Sequence, residues 1–159
     1  MHFTAWLEHT DFSVWIRESP SLLVFPTFLI FHAFGMAFLA GINAALDLRI
    51  LGFAPRIPLA MMERFFPVIW FGFVINLISG VLLLVAYPTK ALTNPVFYIK
   101  LASIAGGMIV MIMLRTRAIR EGQQPRALAV VSLILWAGAI VAGRLLAYTC
   151  TYLLADSTC

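Results

Sequence analysis

Long apolar runs separated by short polar gaps dominate the chain from residue 22 onward. A helix needs about 20 mostly apolar residues to cross a bilayer, and four runs reach that length. Prolines and polar residues bracket each run, which favours breaks between helices. The pattern therefore predicts four transmembrane helices, at about residues 22–46, 65–87, 95–114 and 127–150.

The N-terminal segment follows a different pattern. Apolar residues such as Trp6 and Trp15 alternate with charged ones such as Glu8. This mixture is too polar to cross a membrane and is typical of a segment that lies in the interface, with tryptophans at headgroup depth. We therefore expect an all-α, polytopic membrane protein with one membrane domain over residues 1–159. Its four-transmembrane-helix bundle follows an interfacial amphipathic segment at residues 1–20.

The composition agrees with a membrane protein. Hydrophobic residues make up 62% of the chain and charged residues only 11%, whereas soluble domains are about a quarter charged. The net charge of +4 comes from basic residues that lie mainly in the gaps between the apolar runs. Such residues act as topology signals, so we expect membrane lipid and not nucleic acid as the partner of this charge.

Arginine is concentrated in two of the predicted loops. Three arginines lie between the first and second spans and four between the third and fourth, while the opposite side carries Arg17 and Lys90. The positive-inside rule makes the arginine-rich loops cytoplasmic. We expect a bacterial inner-membrane protein with both termini in the periplasm. There Cys150 and Cys159 could form a disulfide; alternatively, Cys150 is a small buried residue and Cys159 part of a frayed terminus.

Every predicted span carries small residues at helical spacing. In the first span these are Ala33, Ala37, Gly41 and Ala44. Small residues let helix backbones approach closely in lipid, where such approach drives helix association. We therefore expect this stripe to be a packing face within the bundle.

Four polar residues interrupt the predicted spans: His32, Asn76, Lys100 and Arg144. A rise of about 1.5 Å per residue places all four in the outer half of the bilayer or at its midplane. Side chains on a helix lean toward its N-terminus, which brings His32, Lys100 and Arg144 toward one level. Polar groups at this depth are functional-site candidates by default because burying them in lipid is expensive.

The charges of these groups lack a partner in the predicted spans. All seven acidic residues, including Asp47, fall at span ends or in loops. Lys100 and Arg144 therefore either extend to the headgroups or meet an anion that is not protein. Haem b would supply two propionates for such cations and an iron for His32. For His32 alone, the alternative is a hydrogen bond to a neighbouring helix, for example to Asn76.

Three stretches resemble known membrane proteins. The first span carries "HAFG" and ends in "DLRILG", the second reads "RFFPVIWFGFVINLISGVLLL", and the third opens with "NPVFYIKLASIAG". They resemble the four-helix bacterial membrane proteins related to haem-containing protoporphyrinogen oxidase and to the copper-resistance D domain. They also resemble an uncharacterised bacterial inner-membrane family with "HxxG…DLRxLG" in the first helix. The resemblance covers about residues 22–114.

The resemblance implies that a first-helix histidine and a third-helix lysine, here His32 and Lys100, form the functional pair. One feature differs: where the oxidases have an aromatic-proline-arginine signature at the end of the first helix, this chain reads "NAALDLRILGF". The resemblance therefore implies haem more than it implies a porphyrinogen substrate.

Our main prediction is a haem b-binding inner-membrane protein that acts in electron transfer or oxidation, near the periplasmic face and with a redox partner. His32 is the expected iron ligand, Lys100 a second ligand or propionate partner, Arg144 a propionate partner, and Asn76 the residue that orients the imidazole. A second hypothesis is a non-enzymatic scaffold that packs against partner chains or copies of itself and binds lipid. A third hypothesis is copper handling. The methionines available for it are Met36, Met108, Met111 and Met113, although methionine is an ordinary filler of apolar helices.

Overall fold

A computed structural model describes Trp6, residues 9–18 and residues 24–148, and every regular element in this part of the chain is helical. The helices are α1 (Asp11–Glu18), α2 (Val24–Leu51), α3 (Leu59–Met62), α4 (Phe66–Ala86), α5 (Pro88–Leu92), α6 (Pro95–Leu114) and α7 (Arg126–Tyr148). A 3₁₀ turn (Glu63–Phe65) leads into α4, and a π-helical turn (Arg115–Arg120) extends α6.

Four helical stretches are long and apolar enough to cross a membrane, which confirms the predicted all-α membrane fold. Proline lies in the first turn of α4 and is the first residue of α6, because the first turn of a helix does not use the amide hydrogen that proline lacks. At α6, the side chain of Asn94 also caps the helix by accepting a 2.9 Å hydrogen bond from the amide of Val96. The four stretches are Val24–Leu51, Leu59–Ala86, Pro95–Arg120 and Arg126–Tyr148.

The predicted end of the first span is wrong. The prediction stops at residue 46, where the first charged residues appear, but α2 continues to Leu51 because a charged side chain does not interrupt backbone hydrogen bonding. Asp47 consequently lies inside the bundle and is fully buried. Asp47 is near the end of the helix, as expected of the acidic residues, but it faces the interior. Cys150 and Cys159 lie outside the described residues.

The long helices form two antiparallel pairs. Helices α2 and α4 pack together as a first hairpin, α6 and α7 as a second, and α2 joins the two by packing against α7. Side chains from all four helices meet in one core, whose large buried members include Leu39, Ile69, Met111, Leu114 and Trp136. Polar groups on α2 therefore face the second hairpin as well as α4.

Glycines set the close approach of α2 to α4. A Cβ atom at Gly35 would lie 2.7 Å from the amide nitrogen of Asn76 and 2.8 Å from the carbonyl oxygen of Gly72. A Cβ atom at Gly72 would lie 2.9 Å from the carbonyl oxygen of Gly35. The two backbones are in direct contact here, as small residues permit in membrane helices.

The small-residue stripe of the first span, predicted to be a packing face, faces an open groove. Ala33, Ala37 and Gly41 are exposed, and a Cβ atom at Gly41 would meet nothing within 4 Å. With Ala44, these residues line an open groove between α2 and α7. The prediction that this stripe packs against another helix of the bundle is wrong, because the α4 contact uses the face that carries Gly35.

Helix α1 packs one of its faces on the bundle. Ser13 and Ile16 are buried, and the hydroxyl of Ser13 donates a 2.9 Å hydrogen bond to the carbonyl of Val85. Phe12 and Trp15 are exposed, and their rings stack with centroids 6.3 Å apart. This arrangement suits an amphipathic segment at a membrane interface, where exposed aromatic rings contact lipid headgroups.

Candidate cofactor site

The imidazole of His32 is held by Ser79 of α4. Its Nδ1 lies 3.0 Å from the hydroxyl oxygen of Ser79, and that hydroxyl donates to the carbonyl of Ile75 at 2.6 Å. A hydroxyl has only one hydrogen to donate, so Ser79 accepts its other hydrogen bond from Nδ1–H. This assignment leaves the lone pair of His32 on Nε2.

The lone pair on Nε2 of His32 faces Lys100, which lies on α6 in the second hairpin. The ammonium nitrogen of Lys100 lies 3.3 Å from Nε2. Within the described part of the chain, no carboxylate lies within ion-pair distance of Lys100. The structure therefore brings His32 and Lys100 together, and Lys100 directs its polar end to the imidazole.

Asn76 supports His32 through the backbone. Its side-chain nitrogen donates a 3.0 Å hydrogen bond to the carbonyl oxygen of His32, while the ring is held by Ser79. Asn76 thus holds the backbone at His32 and Ser79 contacts the ring, and the expectation that Asn76 orients the imidazole stays a prediction. Ser79 gave no sequence signal, because serine is common in apolar membrane helices.

Two glycines leave space around the pair. A Cβ atom at Gly80 would lie 3.2 Å from Cε1 of His32, which is tighter than ordinary contact. A Cβ atom at Gly143 would lie 3.6 Å from Cε of Lys100, an ordinary van der Waals distance. The imidazole thus fits because Gly80 has no side chain, whereas a methyl group at Gly143 would make only ordinary contact with Lys100.

Two cavities flank the contact between His32 and Lys100. The smaller cavity, of about 470 Å³, lies among all four long helices. The larger cavity, of about 720 Å³, lies in the groove between α2 and α7. Both residues line both cavities, so their contact forms part of the wall between the two spaces. Both volumes fall in the range of small-molecule and cofactor sites, about 300–1,000 Å³.

One basic residue lines each cavity in addition to Lys100. Arg144 lines the larger cavity, with its guanidinium 5.8 Å from the ring centroid of Tyr148. Lys90 lines the smaller cavity and donates a 3.4 Å hydrogen bond to the carbonyl of Ala147. From its position in a predicted loop, Lys90 is expected only to act as an orientation signal. Its approach to the site results from α5, which turns the chain back toward the bundle.

Three of the four methionines considered for copper handling lie in or against the core. Met111 is fully buried, and Met36 and Met108 pack against the same core. Over the described residues, no group of three or more His, Cys, Asp or Glu side chains is placed to hold a metal ion. Haem iron makes a smaller demand on the protein, because the macrocycle supplies four of its ligands.

Comparisons of the chain with protein-family models, curated proteins and solved structures find no match. The family resemblance of the three quoted stretches therefore stays a prediction. Support for a function comes from the residues of the site itself.

Proposed function

We propose that this protein binds haem b between its two hairpins and takes part in electron transfer or oxidation in a bacterial inner membrane. The observation that carries the proposal is the environment of His32: Ser79 holds Nδ1–H, and Nε2 faces Lys100 at 3.3 Å between two cavities that both residues line. Histidines that bind metals have this arrangement, in which a hydrogen bond from the second ring nitrogen fixes the tautomer.

Lys100 would be the second residue that holds the group, because its ammonium nitrogen lies 3.3 Å from Nε2 of His32. Lys100 would ligate as a neutral amine, because metal ligands must be deprotonated. When bound, the haem would supply an iron centre that gains and loses one electron.

The two propionates of haem would meet cations at both cavities. Arg144 is at the larger cavity and Lys90 at the smaller. Charge-assisted hydrogen bonds from arginine or lysine to carboxylates are among the stronger polar contacts in proteins. Burial of two carboxylates beside these residues would also supply the negative charge that the spans lack around His32 and Lys100.

The positive-inside bias supports a periplasmic location for this site and for both termini. The connections between the long helices are too short to form a large catalytic domain, so electrons would pass to or from a redox partner. The exposed rings of Phe12 and Trp15 on α1 lie at the same end of the bundle as the site. This end is the proposed docking surface.

Absorption spectroscopy tests the proposal directly. Protein purified in detergent from haem-replete cells should show a Soret band that shifts on reduction with dithionite. His32→Ala should abolish the band and Arg144→Ala should speed haem loss on dilution, whereas His9→Ala, at an exposed position outside the bundle, should match the wild type. A colourless wild-type protein, or His32→Ala with an unchanged spectrum, would refute the proposal.

A non-enzymatic scaffold is the second candidate, and the open stripe on α2 favours it. Ala33, Ala37 and Gly41 present small side chains to an apolar groove, a surface that suits a helix from another copy of this chain or a lipid tail. Gly41→Leu would fill this groove. If the scaffold hypothesis holds, the wild-type protein is a colourless oligomer in detergent and Gly41→Leu is a monomer.

A further inference from the structure

A second group of polar side chains is buried where α2 and α7 meet. Asn43 and Asp47 lie one turn apart on α2, and Ser132 and Trp136 lie one turn apart on α7. All four are at most 2% exposed. Asp47 is 15 residues from His32 along α2, or about 22 Å, so this group is separate from the proposed haem site.

The oxygen atoms of this group have no hydrogen-bond partner within the described residues. They are both carboxylate oxygens of Asp47, the amide oxygen of Asn43 and the hydroxyl of Ser132. The amide nitrogen of Asn43 donates to the carbonyl of Leu39 at 2.7 Å, which fixes the orientation of its side chain. Buried polar groups in proteins are almost always paired, so several unpaired oxygens in one interface indicate a missing ligand.

The helix directions place these oxygens on two adjacent levels of the interface. The hydroxyl of Ser132 lies next to the carboxyl of Asp47, although the two do not meet hydrogen-bond geometry. Helices α2 and α7 are antiparallel, so one turn back along α2 and one turn forward along α7 move in the same direction. Asn43 therefore lies one turn above the contact between Asp47 and Ser132, at the level of Trp136.

Nearby basic residues do not neutralise Asp47. The guanidinium of Arg49 donates to the carbonyls of Pro55 and Ile57 in the following loop. Arg115 pairs with Glu63 at 3.0 Å. Asp47 also lies four residues, or about 6 Å, from the C-terminal end of α2, where the helix dipole is negative and favours a cation.

We propose that Asp47, Asn43 and Ser132 bind a monovalent cation, with sodium the best match. A single buried carboxylate is neutralised by a single positive charge, whereas a divalent ion would leave excess charge in the core. The donors are all oxygens, which are the ligands of hard cations. The C-terminal ends of helices also contribute to the sodium sites of membrane transporters.

Thermal unfolding of the full-length protein in detergent tests this site without reference to haem. At constant ionic strength, replacing choline with sodium should raise Tm saturably, by about 5–10 °C at a hundredfold excess over the dissociation constant. Asp47→Asn keeps the shape of the side chain and should remove the sodium dependence. Glu63→Gln removes a more exposed carboxylate and should keep it.

A second variant guards against misfolding of Asp47→Asn. Ser132→Ala removes one oxygen and should raise the sodium concentration for the half-maximal effect by about tenfold. Binding of ²²Na⁺ to the wild-type protein should approach one ion per chain. Equal wild-type Tm in sodium, potassium and choline would overturn the proposal, and so would a sodium dependence that Asp47→Asn and Ser132→Ala leave unchanged.

Discussion

Replacing Gly35 with alanine tests the packing of the first hairpin. The added methyl group would lie 2.7 Å from the amide nitrogen of Asn76 and 2.8 Å from the carbonyl oxygen of Gly72. Both are backbone atoms, so neither can rotate away. Ordinary van der Waals contact begins at 3.4 Å, and α2 must therefore move from α4 by about 0.7 Å at this point.

The free energy of this displacement can be estimated from its parts. Overpacking in a well-packed interior costs about 1–3 kcal/mol, and a gap of 0.5–1 Å forfeits about a quarter to a half of the dispersion energy at each contact. Strain on the hydrogen bond from Asn76 to the carbonyl of His32 adds about 0.6 kcal/mol. The better helix propensity of alanine offsets about 1 kcal/mol. We expect Gly35→Ala to lower the free energy of unfolding by about 2 kcal/mol.

Unfolding in mixed micelles, driven by sodium dodecyl sulfate and followed by far-ultraviolet circular dichroism, measures this difference. Gly41→Ala is the matched control, because it makes the same chemical change on α2 where a Cβ atom meets nothing within 4 Å. We expect the control to be as stable as the wild type or up to about 1 kcal/mol more stable. Equal stabilities of Gly35→Ala and Gly41→Ala would refute the assignment of the α2–α4 contact to Gly35.

Three further predictions concern the site and α1. Gly80→Ala places a methyl group 3.2 Å from the imidazole of His32 and should weaken haem retention by about tenfold. Gly138→Ala, with 3.4 Å to the hydroxyl of Ser103 and outside the lining of both cavities, should retain haem normally. Lys100→Ala should keep the haem but change its absorption from a six-coordinate to a five-coordinate spectrum, and an unchanged spectrum would exclude Lys100 as a ligand. Ser13→Ala removes a hydrogen bond worth about 1 kcal/mol and should speed proteolysis within α1, measured by mass spectrometry; a wild-type cleavage rate would contradict this role.

Hydropathy was sufficient to predict the number and approximate positions of the long helices, because the bilayer imposes a minimum apolar length. It was insufficient for their ends. The apolar run of the first span stops before Asp47, but the helix continues to Leu51 and carries the carboxylate into the bundle. A hydropathy boundary marks where side chains become polar, whereas a helix ends where its backbone hydrogen bonds end.

The packing faces were predicted less well than the helices. Helix α2 has small residues on more than one face, and both the stripe that includes Gly41 and the face that carries Gly35 permit close approach. Only the partner helix distinguishes them, and Gly72 of α4 provides the complementary notch at Gly35. Spacing within a single helix contains no information about that partner.

Part of the site was accessible because of its rarity. A histidine and a lysine deep in apolar spans are unusual enough to single out His32 and Lys100, and the structure brings them to 3.3 Å. Ser79 and Lys90 were not singled out. Serine is ordinary in membrane helices, and Lys90 lies in a loop where a basic residue has an adequate explanation as a topology signal.

The two-hairpin architecture has a consequence for biogenesis. Each hairpin consists of neighbouring chain segments, so each can insert and pack soon after its synthesis. The contacts of His32 with Lys100 and of Asp47 with Ser132 both join the first hairpin to the second. They therefore form only when the two hairpins pack together. A ligand that contacts both hairpins would stabilise their association, because it binds only the packed state and shifts the equilibrium between separate and packed hairpins toward that state. Binding of such a ligand would then complete the maturation of this protein, and chains without the ligand would be the ones exposed to quality-control proteases.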